Sequence, residues 1–411
     1  MLAFFKLFYT AFISLFSAFL NPLFGVVIFL VYMQYKKINK MEIKILGEAK
    51  RSIKKKLIRS LITGLLCSSI GIVIIMFLGI TIMPKDFIFI LPLAVILMLI
   101  NIRYLCFSYA GGVVAISSYL FGVPTINISS VLVLIGILHL IESMLIWLDG
   151  STDPLPLFIE NKEYGIVGGF SLQRFWPIPI VILLLTLGQM EGAKEIVLPD
   201  WWPIFRGTNS NIENMSLQMV ILVAALGYGD MAITNTPEET CKKSAKRLFV
   251  YSIILIILSV ISTKIDIFKF IAAVFAPLAH EGLILYGQRE EKLGKPLFTK
   301  KSMGVTVLDI KENKPGHIMG LNRGDVILKI NNYYIYSQKE IQLVLTQIPS
   351  YIWIEIMDLK GAKKTLEYTN YQIGIKSLGI LIISDESQVV FDISREYSLI
   401  KKWIKKRKNK K

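Results

Sequence analysis

A chain of 411 residues that is 54% hydrophobic and only 18% charged, with a mean hydropathy of +0.56, is excluded from the ordinary water-soluble class and must lie largely in lipid. The formal net charge of +16 comes from clustered lysines and arginines, which point to anionic lipid headgroups; no nucleic-acid motif accompanies them. Three well-separated cysteines, Cys67, Cys106 and Cys241, exclude a disulfide framework and offer no zinc spacing.

Residues 10–33 form a long apolar stretch without a small-residue cleavage site, so it reads as a retained membrane segment. Asn21-Pro22 interrupts it, and it either crosses once with a kink or folds back as a hairpin. Residues 34–60 are dense in basic side chains, Lys54, Lys55 and Lys56 among them, and the positive-inside rule makes this segment cytoplasmic. It is expected to be a basic helix on the inner leaflet.

The next predicted spans are 61–83, 87–102, 105–123 and 126–147, the third carrying Ala110, Gly111, Gly112 and Ala115 for close helix contact. A polar loop occupies 148–174. Spans are then expected at 176–187, with an irregular start at Pro177 and Pro179, and at 216–235. The loop between these two carries Trp201-Trp202 as an interfacial anchor and lacks a basic excess, which assigns it to the outer face. Residues 238–247 are basic again, and 248–261 and 268–285 are the last predicted spans. The result is an α-helical polytopic membrane domain of about eight or nine spans over residues 1–288. An even number of crossings between the basic segment and the linker 289–300 places residues 301–411 in the cytoplasm.

Ionisable groups in lipid are costly, so His139, Glu142, Asp230, His280 and Glu281 stand out. His139 and Glu142 share a helix face, as a proton relay or, preferred here, as a polar contact locking helices together. A zinc protease needs two histidines four apart flanking a glutamate, with a distant aspartate. Position 284, four after His280, is Ile284, so that pair does not exist, although Leu148-Asp149-Gly150 resembles the aspartate motif of site-two proteases. No enzyme, metal or cofactor is expected. Residues 225–230 have glycines spaced like a potassium-channel filter, but alanines precede them where a threonine is needed, and they read as glycines closing a helix.

Residues 301–385 form the one stretch patterned like a soluble domain. Val305 to Ile310 suits a strand, Lys314-Pro315-Gly316 a turn, 316–319 a short helical turn, and 326–330 a second strand. Ser337 to Glu340 is a capping box opening a helix with Ile341, Val344, Leu345 and Ile348 at helical spacing. Residues 351–357 alternate as a strand, and 378–383 is a last apolar run. This order, with its Gly-Leu-x-x-Gly-Asp-x-Ile core, resembles the circularly permuted bacterial PDZ domain, a small α+β fold; Gly316-His317-Ile318 departs from that family's Ala-rich pattern. The resemblance implies peptide capture by strand addition. It places the carboxylate loop at Ser377, Leu378 and Gly379, the docking edge at Ile380 and Leu381, and the groove's other wall at Ile341 and Leu345, which could equally just fill the domain core. The basic tail 386–411, with Lys405, Lys406 and Arg407, is expected to adhere to anionic lipid.

The arrangement of Ile137–Glu142, Gly168–Pro179, Gly227–Asp230 and Ala276–Glu281 ahead of this domain resembles the MinJ family of membrane cell-division topology factors. That resemblance implies a scaffold in a bacterial cell membrane, enriched at septum and poles and bridging DivIVA and MinD. The alternatives are a PDZ-bearing adaptor or regulator of a membrane protease or secretion complex, and a degenerate site-two-type protease.

Overall fold

The computed structural model describes residues 2–83, 85–187, 201–205, 215–347, 350–372, 374–383 and 390–391. Helix α1 (Leu2–Ser17) runs through a short 3-10 turn into α2 (Pro22–Leu46), the pair bent by 67°. The break arises from Asn21-Pro22: the Asn21 side chain caps Leu23 N–H at 2.9 Å, and Pro22 sits at a first-turn position where its missing N–H is harmless.

Helix α3 (Ile53–Leu78) starts six residues after α2 closes at Gly47, a left-handed residue with φ 79°. The segment 34–60, expected as one helix lying on the leaflet, is thus the end of α2, a turn and the start of α3. Tyr35 Oη bonding to Ser60 Oγ at 2.9 Å and the Lys56–Glu42 pair hold the two helices against each other.

Next in the chain are β1 (Thr81–Ile82), α4 (Lys85–Ile88), α5 (Ile90–Ile100), α6 (Phe107–Phe121) and α7 (Ile128–Asp149). At 1.5 Å per residue α5 and α6 reach only about 17 and 23 Å, short of a bilayer core of about 30 Å. The chain then forms β2 (Leu155–Asn161), β3 (Gly165–Leu187) and β4 (Met215–Ala232) before α8 (Pro237–Ile261) and α9 (Ile267–Leu293).

The helical spans expected at 176–187 and 216–235 are therefore strands, paired antiparallel from Phe170↔Ala232 to Leu187↔Met215. Pro177 and Pro179 fit this pairing, although the first turn of a helix starting at 176 would also tolerate them. In a helix interior each would remove a hydrogen bond and clash, at about 3 kcal/mol. In β3 they fall on the edge turned away from β4. Tyr35 Oη donates to Phe175 O at 2.9 Å, and a Cβ on Gly64 of α3 would meet Pro177 O at 2.7 Å, so 175, 177 and 179 share the edge facing helices, where a strand donor is not needed. Residues 225–230 likewise sit within β4, not at a helix end; a Cβ on Gly227 would press on the Phe175 ring at 3.0 Å.

Among the described residues, α3, α7, α8 and α9 are long and apolar enough to cross a membrane, or five segments if the bent α1–α2 pair counts as one. This is fewer than the eight or nine expected, because two candidates are strands and two are short.

The C-terminal module contains β5 (Val305–Ile310), α10 (Pro315–Ile318), β6 (Val326–Ile330), β7 (Tyr333–Tyr334), α11 (Gln338–Gln347), β8 (Tyr351–Met357), β9 (Lys363–Thr369) and β10 (Ile380–Ile382). Its sheet runs β10-β5-β6-β8-β9, with β7 on β6. In β8 the alternation buries Ile352, Ile354 and Ile356 against Ile330 and Val344. Residues 390–391 form β11 (Val390–Phe391), parallel to β2.

The segment expected as a linker is instead structured. It comprises the last turns of α9 and a strap in which Leu297 N–H donates to Ile233 O at 2.9 Å and Gly168 N–H to Phe298 O at 2.8 Å. Phe298 stacks edge-on to Phe170 at 5.4 Å, and Leu308 and Ile383 join the same buried cluster. A Cβ on Gly168 would lie 2.5 Å from the Leu308 Cδ1 and 3.1 Å from Phe298 Cβ, so glycine gives the module room to pack closely on β3 without displacing these side chains.

Candidate functional site

Strand β10 is the outermost strand of the C-terminal sheet, bonded to β5 on one side and, among the described residues, to no strand on the other. Gly379 enters it with φ 69°, a left-handed conformation that glycine adopts freely. The turn is closed from below: Lys311 N–H donates to Gly379 O at 2.8 Å, Gly316 N–H to Leu378 O at 2.9 Å, and Gly379 N–H to Ser377 Oγ at 3.1 Å. Gly316 is needed there, since its Cβ would approach Leu378 O to 2.8 Å. Because Gly379 O points at β5, strand alternation turns the N–H and C=O of Ile380 to the open edge. Ile380 and Leu381 are half-buried, whereas Ile341, Leu345 and Leu378 are buried in the module's core. Ile348 and the tail residues Lys405, Lys406 and Arg407 lie outside the described residues.

Charged contacts fix the module's position. Asp309 on β5, almost fully buried, takes Lys50 Nζ at 2.6 Å and Arg323 Nε at 2.9 Å. Burial pushes the Lys50 ammonium below its ordinary pKa, and the Asp309 carboxylate opposes that shift. Arg51 pairs with Glu312 at 2.7 Å and Lys311 with Glu48 at 3.1 Å, and the Arg323 guanidinium lies over Phe170 at 5.2 Å. The basic segment between α2 and α3 thus grips the module.

Lys54 and Lys55 are exposed, in keeping with a surface role, but Lys56 is not a surface residue. It is 2% exposed and pairs with buried Glu42 at 2.5 Å and Asn39 at 2.8 Å, because helical spacing turns position 56 inward toward α2.

Asp149, at the end of α7, is a second hub. Its carboxylate accepts from Arg59 Nε at 2.7 Å, Arg174 Nε at 3.0 Å and Trp176 Nε1 at 2.8 Å. Ten residues of helix, about 15 Å, separate it from His139. With its oxygens engaged by two arginines and an indole, Asp149 is a structural anchor for β3 rather than the aspartate of a protease centre. Asp230 similarly ties β4 to α8, accepting from Ser244 Oγ at 2.8 Å and Tyr228 Oη at 3.1 Å.

Of the remaining polar residues singled out in the helical region, His139 and His280 meet where α6, α7, α8 and α9 come together. His139 on α7 and His280 on α9 lie ring to ring at 5.0 Å, and Cys106, the N-cap of α6, sits 3.0 Å from His139 Nε2 and 3.7 Å from His280 Nε2. Glu281 is engaged elsewhere, with Arg103 at 2.6 Å and Tyr109 Oη at 2.6 Å. The helices approach this closely because Gly112 meets Pro277 of α9, whose Cδ would be 2.5 Å from a Cβ there. Sequence spacing missed this grouping, since its members are 33 and 141 positions apart along the chain. The available signal was that each is a metal-ligating residue type in an apolar neighbourhood.

No family model matches the chain. Over 259 residues, 63% of its length, it is 22% identical to the cell division topological determinant MinJ of Bacillus subtilis (strain 168). The alignment spans 62% of MinJ's own length. A shorter stretch of 106 residues, 26% of the chain, is 24% identical to a Rickettsia prowazekii (strain Madrid E) protein named "Probable periplasmic serine endoprotease DegP-like" and covers 18% of it. The MinJ similarity and the apolar helices together fit a membrane location.

Proposed function

We propose that this chain is a non-enzymatic, multi-pass membrane scaffold for placing the cell-division site, with its C-terminal module acting as a cytoplasmic PDZ-type peptide binder. The similarity to a cell division topological determinant carries this reading. The free edge of β10 supplies its physical means: an extended partner tail adds as a strand beside Ile380 and Leu381, with the Ser377–Gly379 turn receiving its carboxylate and α11 walling the groove. Confinement to the membrane raises the module's effective concentration toward membrane-bound partners, by resemblance DivIVA and MinD, so modest affinity suffices. Lys54, Lys55 and the basic tail contact anionic lipid.

A fluorescent fusion expressed at native level is expected to gather at septa and poles, and a uniform membrane signal would count against the proposal. Co-purification with and without residues 296–385 is expected to lose division partners only in the truncated chain. The DegP-like similarity favours one second reading, an adaptor of a membrane protease; recovery of protease subunits in the same experiment would select it.

A further inference from the structure

We propose that Cys106, His139 and His280 bind a single closed-shell (d10) metal ion, Zn²⁺ or Cu⁺, inside the helical domain. Their ligand atoms all lie within 4.8 Å of one another. A thiolate and two imidazoles are the donors such ions select. Around one ion, with bonds of about 2.3 Å to sulfur and 2.0–2.1 Å to nitrogen, sulfur and nitrogen would stand about 3.5–3.8 Å apart. The 3.7 Å separation fits that range, and the 3.0 Å one would need to open by about half an ångström on the sulfur side.

Two further observations point to a ligand beyond a thiol–imidazole hydrogen bond. His139 Nδ1 bonds to the Ile135 carbonyl, four residues back on α7, at 2.7 Å. That fixes the proton on Nδ1 and leaves the Nε2 lone pair aimed at Cys106, the outer-shell arrangement usual for a metal-bound histidine. His280 has no such support. Its i−4 carbonyl, Ala276 O, is occupied by Ser108 Oγ at 2.9 Å and Tyr251 Oη at 3.0 Å, and His280 Nδ1 is buried without a hydrogen-bond partner. A strong bond at Nε2 would offset, without removing, the cost of that orphaned nitrogen in an apolar core.

Charge also fits. The thiol proton leaves on binding, so a thiolate and Cu⁺ make a neutral three-coordinate site. Zn²⁺ needs a fourth donor and a second negative charge. Glu142, one turn beyond His139 on α7, lies outside this cluster of ligand atoms, so a zinc site would require its side chain to move in. Bound metal would pin α6, α7 and the proline-containing α9, the helix that leads into the C-terminal module. The inference is independent of the peptide-binding reading.

The test uses the full-length chain carrying a tag without histidines, purified in detergent without chelator from cells grown with added zinc or copper. Elemental analysis is expected to find about one ion per chain, falling about tenfold or more in Cys106→Ser and in His280→Gln, with Cys67→Ser unchanged. The element found distinguishes Zn²⁺ from Cu⁺, and either upholds the site. A second measurement avoids variants: maleimide labelling of Cys106 in the wild-type chain should be slow until a membrane-permeant chelator is added. Less than about a tenth of an ion per wild-type chain under both growth conditions, or labelling unaffected by chelator, would overturn the proposal.

Discussion

Lys50 Nζ lies 2.6 Å from the Asp309 carboxylate, joining the turn between α2 and α3 to the first strand of the C-terminal sheet. Asp309 also holds Arg323, so Asp309→Ala leaves Lys50 without its anion at a mostly buried interface and Arg323 with only the longer contact to exposed Glu238 at 3.5 Å. Breaking a buried pair from one side costs about 3 kcal/mol or more. The module should therefore open more often, and amide hydrogen exchange at Gly168 and Leu297, the donors of the strap, should speed up by about a hundredfold. Unchanged exchange would mean that the apolar contacts at Phe298 hold the module without this pair.

Asp149 tests the anchoring of β3. Asp149→Ala strands the fully buried Arg174 and the Trp176 indole, and about 3–5 kcal/mol of stability should be lost. Asp149→Asn keeps an acceptor oxygen and should lose less. Thermal denaturation in detergent reads the order wild type, Asn, Ala; equal midpoints for all three would refute the hub.

The outward N–H of Ile380 is the donor an added strand would use. Ile380→Pro removes it while leaving the bonds to β5 in place, so partner capture should fall at least about tenfold with little change in the module's stability. Calorimetric titration with a partner's C-terminal peptide, alongside the melting temperature, separates the two. Full binding by the proline variant would place the peptide elsewhere.

Asp325 supplies a pH signature. Burial raises its carboxyl above the ordinary value of 3.8, only partly offset by the Asn322 N–H at 2.8 Å. A raised folded-state pKa means that the stabilising contribution is present below the unfolded value and is lost as pH rises through the folded one. Asp325→Asn, which keeps the acceptor but not the charge, should thus raise the melting temperature at pH 7, and its advantage should fade as pH falls toward about 4. An advantage that persists undiminished at low pH would contradict this assignment.

The C-terminal strands and the helix after Ser337 were legible because period-2 and period-3.6 apolar patterns, with glycine and proline punctuation, are local properties. The same locality misled at 176–187 and 216–235: an apolar run buried on both faces has no period, and length alone suggested helices. Pro177 and Pro179, tolerated in the first turn of a helix, did not exclude one. Composition shows that residues 34–60 are basic but not that Lys56 faces a neighbouring helix, where it is buried.

By itself the sequence determined that this chain is apolar enough for a membrane, that its basic residues cluster, and that a small α+β module closes its patterned part, since composition and short periods express local energetics. Tertiary structure alone decided that the module is strapped to β3 through Gly168 and Phe298, that Asp149 gathers two arginines, and that Cys106, His139 and His280 meet. Those contacts join side chains from distant segments, and their partners are selected by how helices and strands pack, which adjacency along the chain does not encode.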